Sequence, residues 1–136
     1  MKRFWLIITG LAIIALWWLY FGPKHYQVMH GADQISAVYV VRTDGDVEES
    51  AEVSLSIVQD IMRLRVYTYS PPHAHLTAPY IRIVYSDGVE EWISKEGTFI
   101  VTNGKQTERI WGAHFLDEDF RKMIEPYMDV FLEETA

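Results

Sequence analysis

The sequence predicts an α+β fold, in which an N-terminal transmembrane helix is followed by a small antiparallel sheet. The predicted order is strand, helix, four-strand meander and helix, with the helices packed on one face of the sheet. Three observations predict it. The chain of 136 residues has a long uncharged apolar run near its amino end, β-rich segments separated by Asp-Gly and Asn-Gly turns, and two stretches with apolar residues at helical spacing. The length beyond the apolar run is that of one domain.

The apolar run begins at Phe4, ends at Phe21, carries no charge and follows Lys2 and Arg3. As a helix it spans about 27 Å, close to the ~30 Å hydrocarbon core of a bilayer. A cleaved secretory signal usually has an apolar region of only ~7–15 residues and a small-residue cleavage site, so the run favours a permanent signal-anchor. Positive charge is retained on the cytoplasmic face. We therefore expect a single-pass protein of the cell membrane, with its amino terminus in the cytoplasm and the rest of the chain outside.

The sequence divides into three parts. Residues 1 to 23 are the cytoplasmic basic tip and the transmembrane anchor, residues 24 to 34 are a juxtamembrane connection, and residues 35 to 136 are an extracytoplasmic α+β domain. From residue 24 onward, ten Lys and Arg face nineteen Asp and Glu. This acidic balance argues against nucleic acid as a partner and against flat adhesion to anionic headgroups. Because the chain has no cysteine, disulfides and thiol nucleophiles are excluded.

The first half of the domain contains one clear strand and one ambiguous segment. β-branched and aromatic residues from 35 to 41 predict a strand that stops at the turn around Asp44-Gly45. Within residues 48 to 65, a short alternation of apolar residues favours a strand, but helical spacing covers more positions. We favour a helix from about residue 50 or 54 to residue 64. A strand followed by a shorter helix is the alternative. The sequence does not decide between strand and helix for residues 48 to 56.

The second half predicts a short strand, a meander and a final helix. A strand near residues 66 to 69 precedes Pro71-Pro72, which begin a loop that continues to about residue 78. Asp117 can cap a C-terminal helix, which Pro126 should kink or end. The meander has turns at 86–88 and 103–105, and its predicted strands are 80–85, 89–94, 98–102 and 107–111.

His73 and His75 are the sharpest chemical candidates, because residues two apart on an extended chain point to the same side and two imidazoles can share a metal. His114 is a candidate third ligand, although no spacing requires it. A metal-binding or metal-sensing envelope protein with a His-x-His site is therefore the alternative function. Solvated loop histidines explain the pattern more simply, so we predict no metal and no other cofactor.

Other patterns predict no catalytic residues, and we expect the protein not to be an enzyme. The acids from 44 to 48 have their glycine at the wrong position for a helix-loop-helix calcium site. Asp87 with Glu90 and Glu91, or the acids at 117 to 119, are explained by a turn and a helix start. Meander aromatics are candidates for a peptide or glycan groove, but core packing is favoured because about half must face the helices. These are Tyr80, Tyr85, Trp92, Phe99 and Trp111.

Several short motifs between Ile35 and about Glu125 carry a family resemblance. They are Pro79-Tyr80-Ile81-Arg82-Ile83, Ser86-Asp87-Gly88, Gly97-Thr98-Phe99-Ile100 and Phe120-Arg121-Lys122-Met123-Ile124. In their order this region resembles small membrane-tethered or lipoprotein-borne extracytoplasmic domains of Bacillus-type bacteria, including the YhfM-like domains. The resemblance implies an exported, anchored accessory module with no catalytic residues to transfer. We expect a non-enzymatic binding or regulatory module of the cell envelope, whose partner is an envelope protein or a small ligand.

Overall fold

Two antiparallel sheets and four α-helices make up the part of the chain that the computed structural model describes, residues 2–21, 24–68, 75–109 and 113–134. The fold is α+β, as the sequence predicts. Short 3₁₀ segments occur at Ala32–Gln34 and Glu125–Met128. The elements in chain order are α1 (Lys2–Phe21), β1 (Lys24–His25), β2 (Ile35–Asp44), β3 (Val47–Glu52), α2 (Ser56–Arg63), β4 (Arg65–Thr68), β5 (Tyr80–Tyr85), β6 (Glu90–Ser94), β7 (Gly97–Thr102), β8 (Lys105–Glu108), β9 (Ala113–His114), α3 (Asp117–Ile124) and α4 (Asp129–Glu134).

The helix α1 is long and apolar enough to cross a membrane, and none of its described side chains is buried. Large apolar residues such as Leu11 and Trp18 are 61% and 66% exposed. Exposed side chains of this kind need an apolar surrounding other than the domain's own core. The predicted N-terminal apolar helix is confirmed as a candidate membrane span or signal anchor.

The large sheet has the strand order β3-β2-β5-β6-β7-β8, and each neighbouring pair is antiparallel. Consecutive strands β5 to β8 form the predicted meander. The turn between β7 and β8 has positive φ at both Asn103 (53°) and Gly104 (78°), the pair of left-handed residues that a two-residue hairpin turn needs. The predicted β8 extended to residue 111, but the strand ends at Glu108, and residues 110 to 112 lie outside the described part.

The favoured helix from residue 50 or 54 was wrong over its first part, and the strand followed by a shorter helix is what forms. β3 pairs with β2 from Asp44↔Val47 to Tyr39↔Glu52, and α2 begins only at Ser56. Cross-strand partners explain the outcome. Glu49 lies 2.8 Å from the Arg42 guanidinium, and Ala51 is buried opposite Val40. Glutamates that suit a helix start therefore stabilise a hairpin instead.

The helices cover one face of the large sheet. Alternate residues of the central strands, Val38 and Val40 in β2 and Ile81 and Ile83 in β5, are fully buried in the main core. α2, α3 and α4 complete this core with Ile57, Val58, Ile61, Phe120, Ile124 and Phe131. Because side chains alternate along a strand, residues between these positions face the opposite side of the sheet.

The second sheet has the order β1-β4-β9 and includes the start of the predicted juxtamembrane connection. Lys24 pairs with Val66 and His25 with Arg65. Tyr26 is 1% exposed and belongs to the main core, and its N–H donates to the Leu64 carbonyl (3.1 Å). The first part of this connection, Lys24 to Met29, is thus paired or packed against the domain.

The C-terminal helix is interrupted where the sequence places a proline. α3 ends at Ile124, Pro126 lies in the following 3₁₀ segment, and α4 resumes at Asp129. Asp117 is the first helical residue rather than the cap, a position held by Leu116 without a side-chain cap hydrogen bond. Its carboxylate still lies in the first turn, where the helix dipole favours negative charge.

Candidate functional site

The three candidate metal ligands are not brought into a described cluster. His75 lies in the segment before β5, where its N–H donates to the Glu96 carbonyl (3.4 Å) and its carbonyl accepts from Ser94 Oγ (2.9 Å). His114 lies in β9 with its ring 5.7 Å from that of Tyr67. His73 falls outside the described residues. Within the described ranges, no three His, Cys, Asp or Glu side chains are grouped as metal ligands. The metal-binding alternative stays a hypothesis.

The candidate acid/base carboxylates Asp87, Glu90 and Glu91 have separate partners. Asp87 accepts a hydrogen bond from the Val89 N–H (3.0 Å) within its turn and lies 3.3 Å from His30 Nε2. Glu90 and Glu91 follow one another in β6 and therefore point to opposite faces of the sheet. This arrangement places only Glu91 inside the core.

Glu91 is fully buried, with an exposed fraction of 0%. Its Oε1 accepts hydrogen bonds from the Met29 N–H (2.8 Å) and the Tyr85 hydroxyl (2.6 Å). Its Oε2 accepts from the Tyr26 hydroxyl and from the Arg109 guanidinium (2.7 Å). We call Glu91 and these four donor residues the Glu91 cluster.

Three separate parts of the chain supply the donors of the Glu91 cluster. β5 lies beside β6 in the sheet and presents Tyr85, while the chain after β8 brings in Arg109, whose N–H donates to the Thr98 carbonyl (2.9 Å). The remaining two donors come from the segment that follows α1. Arg109 holds that segment a second time, because its guanidinium donates to the Gln27 carbonyl and lies 5.4 Å from the ring centre of Tyr26.

Both tyrosines of the cluster are held in their protonated form. Burial raises the pKa of Tyr26 well above its ordinary value, and the negative charge of Glu91 raises it further, against the opposing effect of Arg109. Burial and the hydrogen bond to Glu91 likewise raise the pKa of Tyr85. Ionising either phenol would place a second negative charge beside a buried carboxylate. Both hydroxyls therefore remain donors at neutral pH.

The Glu91 carboxylate has no acceptor capacity left for a substrate. A carboxylate offers about four lone-pair positions, and each oxygen of Glu91 already accepts two hydrogen bonds. A general base needs a free lone pair within reach of the proton that it abstracts. The cluster instead joins the segment after α1 to the sheet through a buried, fully satisfied ion pair.

The sheet face opposite the helices carries a second group of aromatic residues, which we call the aromatic face. Tyr80 stacks on Trp92 with ring centres 5.7 Å apart, and Trp92 pairs across the strands with Phe99. The Arg82 guanidinium lies 5.1 Å from the ring centre of Tyr39. Of the residues predicted to line a groove or fill the core, Tyr80, Trp92 and Phe99 lie on this face, Tyr85 lies in the main core, and Trp111 is outside the described residues.

The aromatic face is partly closed by its own packing. Among the described residues, four buried hydrophobic ones lie outside the main core, and all of them belong to this face: Val41, Tyr80, Phe99 and Val101. The Tyr80 hydroxyl donates to Glu48 (2.7 Å), and burial raises the pKa of Tyr80. Tyr39, Arg82 and Trp92 are only half-buried. These three side chains are therefore accessible from solvent on this face.

An open groove of about 360 Å³ lies between α2 and α3. Charged side chains of both signs line it, together with two apolar ones: Asp60, Arg63, Asp119, Lys122, Leu64 and Met123. Lys122 also pairs with Glu118 (2.9 Å). The groove is lined by charges of both signs rather than one, and among the described residues its lining includes no aromatic residue that would select a ligand.

No protein-family model, curated protein or solved structure matches the chain. The resemblance to YhfM-like domains therefore stays a prediction.

The Glu91 cluster was not predicted from the sequence, although one signal was present. If Ile93 faces the core, Glu91 two residues earlier must face it as well, and an ionised residue in that position requires partners. The partners themselves, Tyr26 and Arg109, are 65 and 18 residues away and have no recognisable spacing.

Proposed function

We propose that this protein is a single-pass membrane protein whose extracytoplasmic α+β domain is a non-enzymatic binding or regulatory module of the cell envelope. The observation that carries the proposal is the way in which helix and domain are connected. α1 has exposed apolar side chains, only two residues separate it from β1, and the Glu91 cluster holds the following segment to the sheet. An anchor joined in this way keeps the domain beside the membrane.

Two features support binding rather than catalysis. The buried carboxylate is saturated by donors, whereas the half-buried Tyr39, Arg82 and Trp92 form an aromatic and charged surface on the opposite face. Aromatic and arginine side chains dominate the energetics of binding surfaces. The aromatic face is therefore the proposed surface for an envelope protein or small ligand.

The topology can be tested with single cysteines, because the chain has none of its own. We expect Lys105→Cys, in an exposed turn, to react with a membrane-impermeant maleimide in intact cells. A cysteine inserted between Met1 and Lys2 should react only after lysis, and this insertion leaves the two flanking positive charges in place. Labelling of the inserted cysteine but not of Lys105→Cys in intact cells would contradict the proposed orientation. A mature chain that has lost α1 would contradict the anchor.

The binding surface can be tested by photo-crosslinking in native membranes. A benzophenone amino acid at Tyr39 keeps an aromatic ring on the aromatic face, and the same group at exposed Gln59 on α2 is the matched control. We expect a discrete adduct from position 39 and none from position 59. Equal adducts from both positions, or none from either, would contradict this surface.

A further inference from the structure

We infer that the domain contacts anionic phospholipid headgroups through a basic collar formed by Lys24, His25, Arg63 and Arg65. The inference rests on the proposed function, because it requires α1 to span the membrane. It adds a second membrane contact, made by the domain itself, in the leaflet from which α1 emerges.

The chain brings the collar together by strand pairing. Lys24 and His25 form β1, and His25 is the direct antiparallel partner of Arg65 in β4. Arg63 is the last residue of α2, and its carbonyl lies 3.0 Å from His25 Nδ1. All four side chains are exposed, with that of Arg63 reaching 77%. Two segments that are distant in sequence thus present their basic residues at one place.

Along the sequence, few acidic residues flank the two segments that form the collar. Between α1 and Asp33 there is no Asp or Glu, and between Asp60 and Asp87 there is none either. Asp60 is the nearest acid along the chain and lies 3.8 Å from Arg63, but it also accepts a hydrogen bond from the Tyr127 hydroxyl. Asp60 and Asp119 line the groove beside Arg63, whereas the sequence places no acid within four residues of Lys24, His25 or Arg65. The net charge of the domain therefore conceals basic residues gathered at β1 and β4.

The length of the connection fixes where this surface lies. Three peptide steps join Phe21 to Lys24, so their Cα atoms are at most about 11 Å apart. A headgroup layer extends several ångströms beyond the hydrocarbon core, and the Debye length in physiological salt is about 8 Å. Since β1 pairs with β4, Arg65 stays one strand spacing from His25 and therefore near the end of α1. The collar is thus held near the headgroups, where an anionic lipid attracts Lys and Arg electrostatically.

The position of the collar also orients the domain on the membrane. Anionic headgroups attract the collar and repel the acidic remainder of the domain. The domain is therefore seated with β1 and β4 towards the lipid, and a lipid surface without net charge removes this preference.

Arginine footprinting of the full chain in nanodiscs tests the inference. Phenylglyoxal modifies accessible guanidinium groups, and mass spectrometry reads each site separately. We expect modification of Arg63 and Arg65 to slow about fivefold in discs that contain phosphatidylglycerol relative to pure phosphatidylcholine discs, and high salt should restore the rate. Arg121, exposed on α3, is the internal control and should not respond.

Three results would overturn the inference. Equal rates at Arg63 and Arg65 in the two lipids would show that the collar does not contact headgroups, and an equal slowing at Arg121 would show a nonspecific effect. Protection by inorganic phosphate in phosphatidylcholine discs would identify a site for a free anion instead. Failure of the chain to remain in either disc would refute the anchor itself, so the two proposals fail separately.

Discussion

Glu90 and Glu91 are adjacent in β6, yet they occupy the two opposite environments of the sheet. The Glu90 side chain is 30% exposed and lies 3.5 Å from the Arg82 guanidinium. Glu91 is fully buried and receives four hydrogen bonds, one of them from Arg109. Water can solvate the first carboxylate, whereas the second has only the protein. The burial of Glu91 therefore requires hydrogen-bond partners, and two of these partners fix the segment that follows α1.

The largest effect is expected when the buried carboxylate is removed. Glu91→Gln replaces an acceptor oxygen by an amide donor that faces other donors, and it leaves the half-buried Arg109 charge without its partner. We expect the free energy of unfolding to fall by about 3–5 kcal/mol. Urea titration of the full chain in non-ionic micelles measures it.

Glu90→Gln is the matched control for that experiment. It changes the neighbouring residue in the same way on the half-exposed face, where an ion pair contributes about 0–1 kcal/mol. Equal losses in the two variants would refute the distinction between the two environments.

A smaller loss is expected for each tyrosine of the cluster. The variants Tyr26→Phe and Tyr85→Phe both keep the ring in the core. Tyr85→Phe removes one hydrogen bond to the carboxylate, and Tyr26→Phe removes such a bond together with the one that its hydroxyl accepts from Arg109 (2.9 Å). Each should lower the free energy of unfolding by about 1.5–3 kcal/mol. The double variant should differ from the sum of the two single changes, because both hydroxyls bind the same carboxylate. Strict additivity in this cycle would argue against a shared acceptor.

High pH should weaken the fold through the same tyrosines. Their folded-state pKa values are raised above the unfolded value of about 10, so their contribution is complete below that pH and is lost as the pH rises above it. Titration of phenolate absorbance should show Tyr26 and Tyr85 ionising only together with unfolding. Reversible ionisation of Tyr26 near pH 10 in the folded chain would contradict its burial beside Glu91.

The smallest effect is expected for the exposed ion pair between Asp117 and Lys95. The hydrogen bond from Lys95 (2.7 Å) lowers the pKa of Asp117, so its contribution is present above about pH 4 and disappears as the pH falls through the lowered value. Asp117→Asn should therefore reduce stability slightly at neutral pH and leave it unchanged at strongly acidic pH. A loss that persists in acid would assign the role of Asp117 to something other than this ion pair.

Local signals in the sequence were sufficient for much of the fold. Turn residues such as Asn103-Gly104 placed the meander, and Pro126 marked the end of α3. The segment from 48 to 65 was harder, because its apolar spacing satisfies both a strand and a helix, and pairing of Ala51 with Val40 decided the outcome. Tertiary contacts of this kind override local propensity.

The buried cluster and the basic collar could not be predicted in the same way. Alternation along β6 is enough to place Glu91 and Ile93 on the same face, but it does not identify Tyr26 or Arg109 as partners. Likewise, net charge described the whole domain as acidic, whereas pairing of β1 with β4 gathers basic residues at one end. Both features depend on contacts between distant segments, which no local pattern encodes.

Hydrogen exchange at the Met29 amide reports whether Glu91 holds the segment after α1, because this N–H lies outside the strands and donates to the Glu91 carboxylate (2.8 Å). We expect this amide to exchange slowly in the wild-type chain and much faster in Glu91→Gln. The Val53 amide, which donates to the Val38 carbonyl (2.9 Å), is the reference for a distant hydrogen bond and should change less. An unchanged rate at Met29 in the variant would show that Glu91 does not hold the segment after α1 to the sheet.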